Sequence, residues 1–328
     1  MEILIGLIVV ALLFDFMNGR NDAANSIATI VSTRVLSPRV AIAWAAFFNF
    51  VAFLVFGLSV ASTVGKGIIS PEIISDHVIF GALIGAISWQ IATGYFGIPS
   101  SSSHGLIGGL VGAGLQEAGT SAIVWQGLAK TASGIVLSPT VGLTIALLLV
   151  LIVSWTFVRV APARADGIFR KAQFVSASLY ALGHGGNDAQ KTMGIITALL
   201  YAHGELSGDF HVPFWVVVSC NAAMALGTLL GGMRIIHTMG SRITRLQPVQ
   251  GVCAETAGFI TLFMATELGV PVSTTQTITG AIIGVGAAKR VSAVRWGVAR
   301  EILIAWIVTM PAAAVVGALF CWVSKFFW

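Results

Sequence analysis

Charge is what this chain has least of. Only 9% of its 328 residues are Asp, Glu, Lys or Arg, while 56% are hydrophobic. Soluble domains carry about 25% charged residues, so an ordinary water-facing surface is excluded. No polar stretch exceeds a connecting loop, so no soluble domain is visible in the sequence. Cysteine is scarce as well. Cys220, Cys253 and Cys321 stand inside apolar segments without metal-ligand spacing, and read as small core residues. No basic stripe interleaves with exposed aromatics. The net charge of +5 therefore points to loops beside anionic lipid and excludes a nucleic-acid partner. The N-terminal "MEILIGLIVVALLFDFM" lacks a basic leader and a small-residue cleavage site, so it reads as a retained span.

What fills the chain instead is apolar sequence. The clearest runs are 40–61, 78–96, 141–158, 212–233 and 302–323. Runs of about 18 or more apolar residues are long enough to cross a bilayer as helices. Backbone polar groups in lipid must be satisfied within the segment, which favours helices. The expected fold is an all-α polytopic membrane protein, with the lipid bilayer as its surroundings.

The chain is written twice. "GIPSSSSHGLIGGLVGAG" (97–114) aligns with "GVPVSTTQTITGAIIGVG" (269–286) at an offset of 269 − 97 = 172. Gly97, Pro99 and Ser101 meet Gly269, Pro271 and Ser273, while Ser102 and Ser103 meet Thr274 and Thr275. Pro139 meets Pro311 at the same offset. Upstream, "NGRNDAANS" (18–26) echoes "HGGNDAQKT" (184–192) at an offset of 166. Each half thus carries G-x-N-D followed by G-x-P-x-S, and internal repetition is a hallmark of secondary transporters.

Loop charge sets the relative direction of the halves. The run 40–61 follows Arg34 and Arg39 and precedes Glu72 and Asp76. Its equivalent, 212–233, follows Glu205 and Asp209 and precedes Arg234, Arg242 and Arg245. The basic end has changed sides, so by the positive-inside rule the halves are inverted. The expectation is a first inverted repeat over 1–158, a basic cytoplasmic linker over 159–167, a second repeat over 168–328, and both termini outside. The two serine and threonine motifs then become tips of re-entrant hairpins. The two G-x-N-D motifs become breaks inside crossing helices. The count is six full crossings plus two hairpins, rising to 10–12 segments if the hairpin arms cross fully.

The chemistry follows from these positions. Hydroxyls and free N–H groups at a helix start favour an anion. Ser101, Ser102 and Ser103 in one half, with Ser273, Thr274 and Thr275 in the other, form a donor ring suited to a tetrahedral oxyanion. Capping and back-bonding within the helix are the competing structural role. Asp22 and Asp188 are carboxylates inside apolar segments and must hold a cation or a proton. With Asn21 and Asn187 they make an oxygen set suited to a hard cation such as Na⁺. The competing role is an ion pair, Asp22 with Arg20 or Asp188 with Lys191. Arg20 and Gln90 are further candidate anion ligands, and Glu255 a further cation or proton site. His104 and His184 either shape their motifs or touch the solute.

At these residues the chain resembles the inorganic phosphate transporter (Pit) family in its short bacterial form. The family's G-A-N-D-V-A-N-A signature is matched by "GRNDAANSIAT" and "GGNDAQKTMG", and its P-x-S-[ST]-[ST]-H motif by "IPSSSSHGLIGG" and "VPVSTTQTITGA". The resemblance covers essentially the whole chain. It implies symport of inorganic phosphate with Na⁺ or H⁺ in the cell membrane, by alternating access, without a resident cofactor. It implies both termini outside, a homodimer, and in bacterial members uptake of neutral metal–phosphate complexes. Gln276 replaces a usual His, and Arg20 a usual small residue. These departures leave the coupling ion and the oxyanion open, since some relatives carry sulfate. A channel would show the same donors without concentrative uptake. An enzyme would need a nucleophile with a base, and His104 beside serines has no acid near it in sequence.

Overall fold

The structure, a computed structural model of the chain, describes residues 1–231 and 233–328. Gly232, inside the apolar run 212–233, lies outside the described residues. In the first half the helices are α1 (Glu2–Ser32), α2 (Pro38–Val51), α3 (Ser59–Gly67), α4 (Asp76–Phe96), α5 (Ser102–Ala118) and α6 (Trp125–Thr156). In the second they are α7 (Pro162–Ala202), α8 (Phe214–Leu230), α9 (Met233–His237), α10 (Pro248–Glu267), α11 (Thr274–Lys289) and α12 (Trp296–Ser324). The fold is all-α, and the same succession of long, broken, paired and long helices occurs twice. Among the described residues five helices are long and apolar enough to cross a membrane, or up to seven segments if each bent pair counts once. That is fewer than the 10–12 the hairpin arms would give if all crossed.

Both G-x-N-D motifs lie inside unbroken helices, which corrects the expected breaks. Gly19 to Asp22 continue α1, and Gly185 to Asp188 continue the 41-residue α7. Their glycines serve close approach instead. A Cβ at Gly19 would strike the Met224 backbone of α8, and one at Gly185 the Asn49 backbone of α2. The breaks fall one element later. Pro38–Leu54 and Ser59–Gly67 meet at 81°, and Phe214–Leu230 and Arg234–Gly240 at 71°. The run 40–61 is therefore a bent pair and not one straight span. The stretch 159–167 is also shorter as a connector, because α7 begins at Pro162, where proline's fixed φ and missing N–H suit a first helical turn.

The halves are interlocked. The α4–α5 hairpin of the first half packs on α12, while α10 and α11 of the second pack on α6. These helix pairs meet backbone to backbone at glycine. Gly112 of α5 lies against Ala314 of α12, and Gly284 of α11 against Leu143 of α6. Small residues allow that approach, and close van der Waals packing is what holds helices together where lipid is as apolar as leucine. The outer faces of α6 and α12 expose Leu148, Leu151, Ile152, Ile307, Val315 and Trp322, as lipid-facing helices do. The polar residues Asp15, Asp22, Asn187, Asp188 and Lys191 are instead buried at the centre.

Replacing Gly112 with Val should force α5 off α12, since the atoms in the way are backbone. The expected loss is about 1–3 kcal/mol, read as a lower unfolding temperature of the detergent-purified protein. Gly6→Ala, where a Cβ meets nothing, should leave the temperature unchanged. Equal temperatures for Gly112→Val and the parent would contradict this packing.

Candidate functional site

The two hairpin tips are built alike. α4 ends with Gly97 at φ 68°, and α10 runs into Gly269 at φ 61°. Glycine takes this left-handed conformation without a Cβ penalty. Ile98 N donates to Thr93 O (2.9 Å) and Gly97 N to Gly94 O (3.3 Å); Val270 N donates to Ala265 O (2.8 Å) and Gly269 N to Thr266 O (3.0 Å). Each pair of bonds is a Schellman closure that satisfies carbonyls at a helix end. The chain turns through Pro99 or Pro271 and restarts as α5 or α11. Ser101 and Ser273 cap these restarts, their hydroxyls accepting from His104 N and Gln276 N, each at 3.2 Å. These two serines therefore take the capping role weighed for the whole motif.

The next residues behave differently. Ser102 donates to Asp22 Oδ2 (3.1 Å) and Thr274 to Asp188 Oδ2 (3.0 Å). Ser103 donates to Val272 O (2.8 Å) and Thr275 to Ser100 O (3.1 Å), so each tip holds the backbone of the other. Asn25 Nδ2 donates to Thr275 Oγ1 (2.9 Å), and Lys191 Nζ to Ser103 Oγ (2.5 Å). The partners in every pair are related by the offsets of 166 and 172 found in the sequence. Both tips converge, buried, on the two aspartates. Thr275 also lies 3.5 Å from Asp22 Oδ1, so Asp22 touches both tips.

The match breaks at one position. Lys191 stands where the first half has Asn25. Its buried ammonium bonds the Asp188 carboxylate and Val272 O (3.0 Å) as well as Ser103. Of the two ion pairs weighed from sequence, Asp188–Lys191 is present. Asp22–Arg20 is not among the described contacts, and the hydroxyls of Ser102 and Thr275 meet Asp22 without a Lys or Arg among the described residues. His184 Nε2 lies 3.3 Å from Asp188 Oδ2, and its Nδ1 faces Ser26 (3.1 Å) and Asn49 (3.2 Å). Asp22, His184 and Asp188 offer ligand atoms within 4.8 Å of one another, all buried.

The other sequence candidates sit further out. Asn21 and Asn187 brace the helices leading to the tips, donating to Gln90 O (2.7 Å) and Thr266 Oγ1 (2.9 Å). Arg20 and Gln90 line a separate cavity. Glu255 lies in its own polar nest, accepting from Thr29 (2.6 Å), Gln173 (2.9 Å) and Ser176 (2.5 Å). Three donors occupy it, and no described contact joins it to the aspartates. His104 and Gln276 line an apolar cavity with Pro139, Trp306 and Met310, apart from the aspartates. Sequence reasoning passed over Asn25 and Ser26. The signal was available, since Asn25 follows Asp22 by the same three residues that separate Lys191 from Asp188.

Comparisons with known proteins bear on this geometry. The sequence profile of the phosphate transporter family matches residues 18–317. A probable low-affinity inorganic phosphate transporter of Rhizobium meliloti is 70% identical over 317 residues, covering 97% of this chain and 95% of the relative. A Bacillus subtilis protein of the same description is 44% identical over 316 residues, covering 95% and 94%. A solved structure, described as the sodium-dependent phosphate transporter, superimposes with a TM-score of 0.93 at 25% identity, covering 100% of both chains.

The Asp188–Lys191 pair generates a stability prediction. Lys191→Met leaves a buried carboxylate uncompensated, which costs about 3–5 kcal/mol. The purified variant should unfold at a clearly lower temperature, followed by tryptophan fluorescence. Adding Asp188→Asn should recover much of the loss. A Lys191→Met protein as stable as the parent would mean that the pair is not formed.

Proposed function

This chain belongs to the phosphate transporter family, and we propose that within it the protein imports inorganic phosphate by alternating access with a cation bound at Asp22. It is a multi-pass membrane transporter and not an enzyme. The observation that carries the proposal is the meeting of two helix N-termini, rich in hydroxyls, beside two buried aspartates. Phosphate binds where α5 and α11 point their positive dipole ends. Ser101 and Ser273 keep the tips wound, while the hydroxyls of Ser102, Ser103, Thr274 and Thr275 turn from the aspartates and carbonyls to the oxyanion.

A dianion beside two carboxylates needs positive charge. Lys191 supplies one charge permanently, at Asp188. Asp22 has no such partner, so its cation is mobile and is the one that couples transport. The ligands of the ammonium are Asp188, Ser103 and Val272 O, and the offset counterparts are Asp22, Thr275 and Ser100 O. Asn25 Oδ1, buried without a hydrogen-bond partner, adds a further oxygen. An all-oxygen cage suits Na⁺, and a proton on Asp22 answers the same need. The solved neighbour is described as sodium-dependent, which supports testing Na⁺ first.

The recurrence of the tip contacts at the sequence offsets supports two like halves, and the reversed loop charge supports their inversion and termini outside the cell membrane. Access alternates as the halves rock about the joined tips. The sharp bends after α2 and α8 supply deformable points. A second reading is uptake of a metal–phosphate complex, favoured by the buried trio Asp22, His184 and Asp188. Mixed nitrogen and oxygen ligands suit a transition metal such as Zn²⁺ or Mn²⁺. It predicts that radiolabelled metal enters together with phosphate.

The test is radiolabelled phosphate uptake into proteoliposomes under an imposed Na⁺ or proton gradient, with excess sulfate as competitor. The expected result is accumulation under one gradient, insensitive to sulfate, and abolished by Asp22→Asn with the protein still folded. No accumulation under either gradient would overturn the proposal. Inhibition by sulfate would reassign the solute, and normal uptake by Asp22→Asn would remove that residue from coupling.

A further inference from the structure

Arg20 and Gln90 do not reach the tips, yet the structure gives them a shared place. They line a cavity of about 420 Å³ with Asn21, Gly94, Tyr95 and Arg234, between α1, α4 and the start of α9. Its chemistry is one-signed. Two guanidinium groups face it, and no Asp or Glu is among its lining residues. Arg20 has no hydrogen bond or ion pair among the described residues. Arg234 is held by its bond to Tyr95 O and by the Tyr95 ring, whose centre is 5.4 Å away. That anchoring leaves guanidinium N–H groups free to face the cavity.

Gln90 adds an independent sign. Its side chain is only 2% exposed, and neither Nε2 nor Oε1 has a hydrogen-bond partner. A buried amide without partners costs free energy unless a ligand or water satisfies it. Its Nε2 is an unpartnered donor sealed within the cavity wall, which a turn of the side chain would present to an oxyanion. Asn21 bonds Gln90 O at 2.7 Å and precedes Asp22 in the chain, so the wall of the cavity adjoins the inner site.

The other half carries no equivalent at this position. At the offset of 166, Gly186 stands in place of Arg20. The ring of Phe56 packs against Gly186 and itself meets Phe263 at 5.8 Å. One approach to the aspartates is thus cationic and hollow, while the matching place is filled by aromatic side chains.

We infer that this cavity is a second oxyanion site, an antechamber in which Arg20, Arg234 and Gln90 bind phosphate before it passes to the hairpin tips. The inference rests on the phosphate-transport reading. Guanidinium forks match two phosphate oxygens at once, and the Gln90 amide donates to a third. Two positive charges on the wall of an open pocket raise the local anion concentration and speed capture. Arginine inside an apolar segment is costly without water or an anion, and such a site supplies both.

Initial uptake rates in proteoliposomes test this directly. Arg20→Gln with Arg234→Gln should raise the KM for phosphate about tenfold and keep the maximal rate within about twofold. Uptake at low phosphate by the parent should fall with added salt, and that dependence should flatten in the double variant. An unchanged KM and salt dependence would overturn the inference. Vesicles of phosphatidylcholine alone, compared with vesicles containing phosphatidylglycerol, separate free phosphate from a lipid headgroup. A KM shift confined to the anionic vesicles assigns the cavity to lipid and overturns the antechamber. Absence of uptake by the parent would sink the transport reading itself. Equilibrium binding of radiolabelled phosphate to purified Asp22→Asn protein then decides the second site alone. Binding that is retained there and lost on adding Arg20→Gln and Arg234→Gln supports it; no binding to Asp22→Asn refutes it.

Discussion

Two like charges brought together away from water repel strongly unless positive charge lies between them. Asp22 and Asp188 are buried with carboxylate oxygens within 4.8 Å of each other. Much of the molecule answers that requirement. The long helices α1 and α7 are held by glycine contacts against α8 and α2, which fixes where the aspartates stand. The hairpin tips then bring hydroxyls to them from both halves. Lys191 neutralises one carboxylate, and hydroxyls of Ser102 and Thr275 meet the other.

The near-symmetry of the site is as informative as its failure. Tip closures, caps, tip-to-tip bonds and one hydroxyl contact to each aspartate recur at constant offsets. Two of the positions that depart add a positive charge, one in each half. Lys191 replaces the Asn25 position, and Arg20 replaces the Gly186 position. The first sits inside the tip cluster and the second lines an outer cavity. A duplicated scaffold would treat its two halves alike; these substitutions make them differ in charge. The exchange of packing partners, α5 with α12 and α11 with α6, means that neither half can move without bearing on the other.

The sequence disclosed the tips more fully than the helices that carry the aspartates. Gly97, Pro99 and Ser101, with their equivalents at Gly269, Pro271 and Ser273, signal a left-handed stop, a turn and a capped restart. The hydroxyl-rich restart was legible because it is local, and the repeat with its reversed loop charge marked the tips; the left-handed glycines came from the structure. The G-x-N-D motifs were misleading for the opposite reason. Glycine beside asparagine and aspartate suggests a helix break locally, but Gly19 and Gly185 serve contacts with residues over 100 positions away. Those contacts exist only in three dimensions. Sequence likewise gave no sign that Arg234 shares a cavity with Arg20, because that placement arises from the packing of α4 and α9 on α1. Glu255 looked like Asp22 in sequence, as a lone acid in apolar surroundings. Its three donors from α1 and α7 distinguish it, and one-dimensional reading had no access to them.

The central claim is that the oxyanion binds where the two hairpin tips meet. An experimental structure determined with bound phosphate, or with arsenate as a heavier tetrahedral substitute, tests it most directly. The account predicts tetrahedral density within hydrogen-bond distance of Ser102 or Ser103 and of Thr274 or Thr275, with a cation against Asp22. Density absent from the tips in a saturated sample, or confined to the Arg20 and Arg234 cavity, would contradict it.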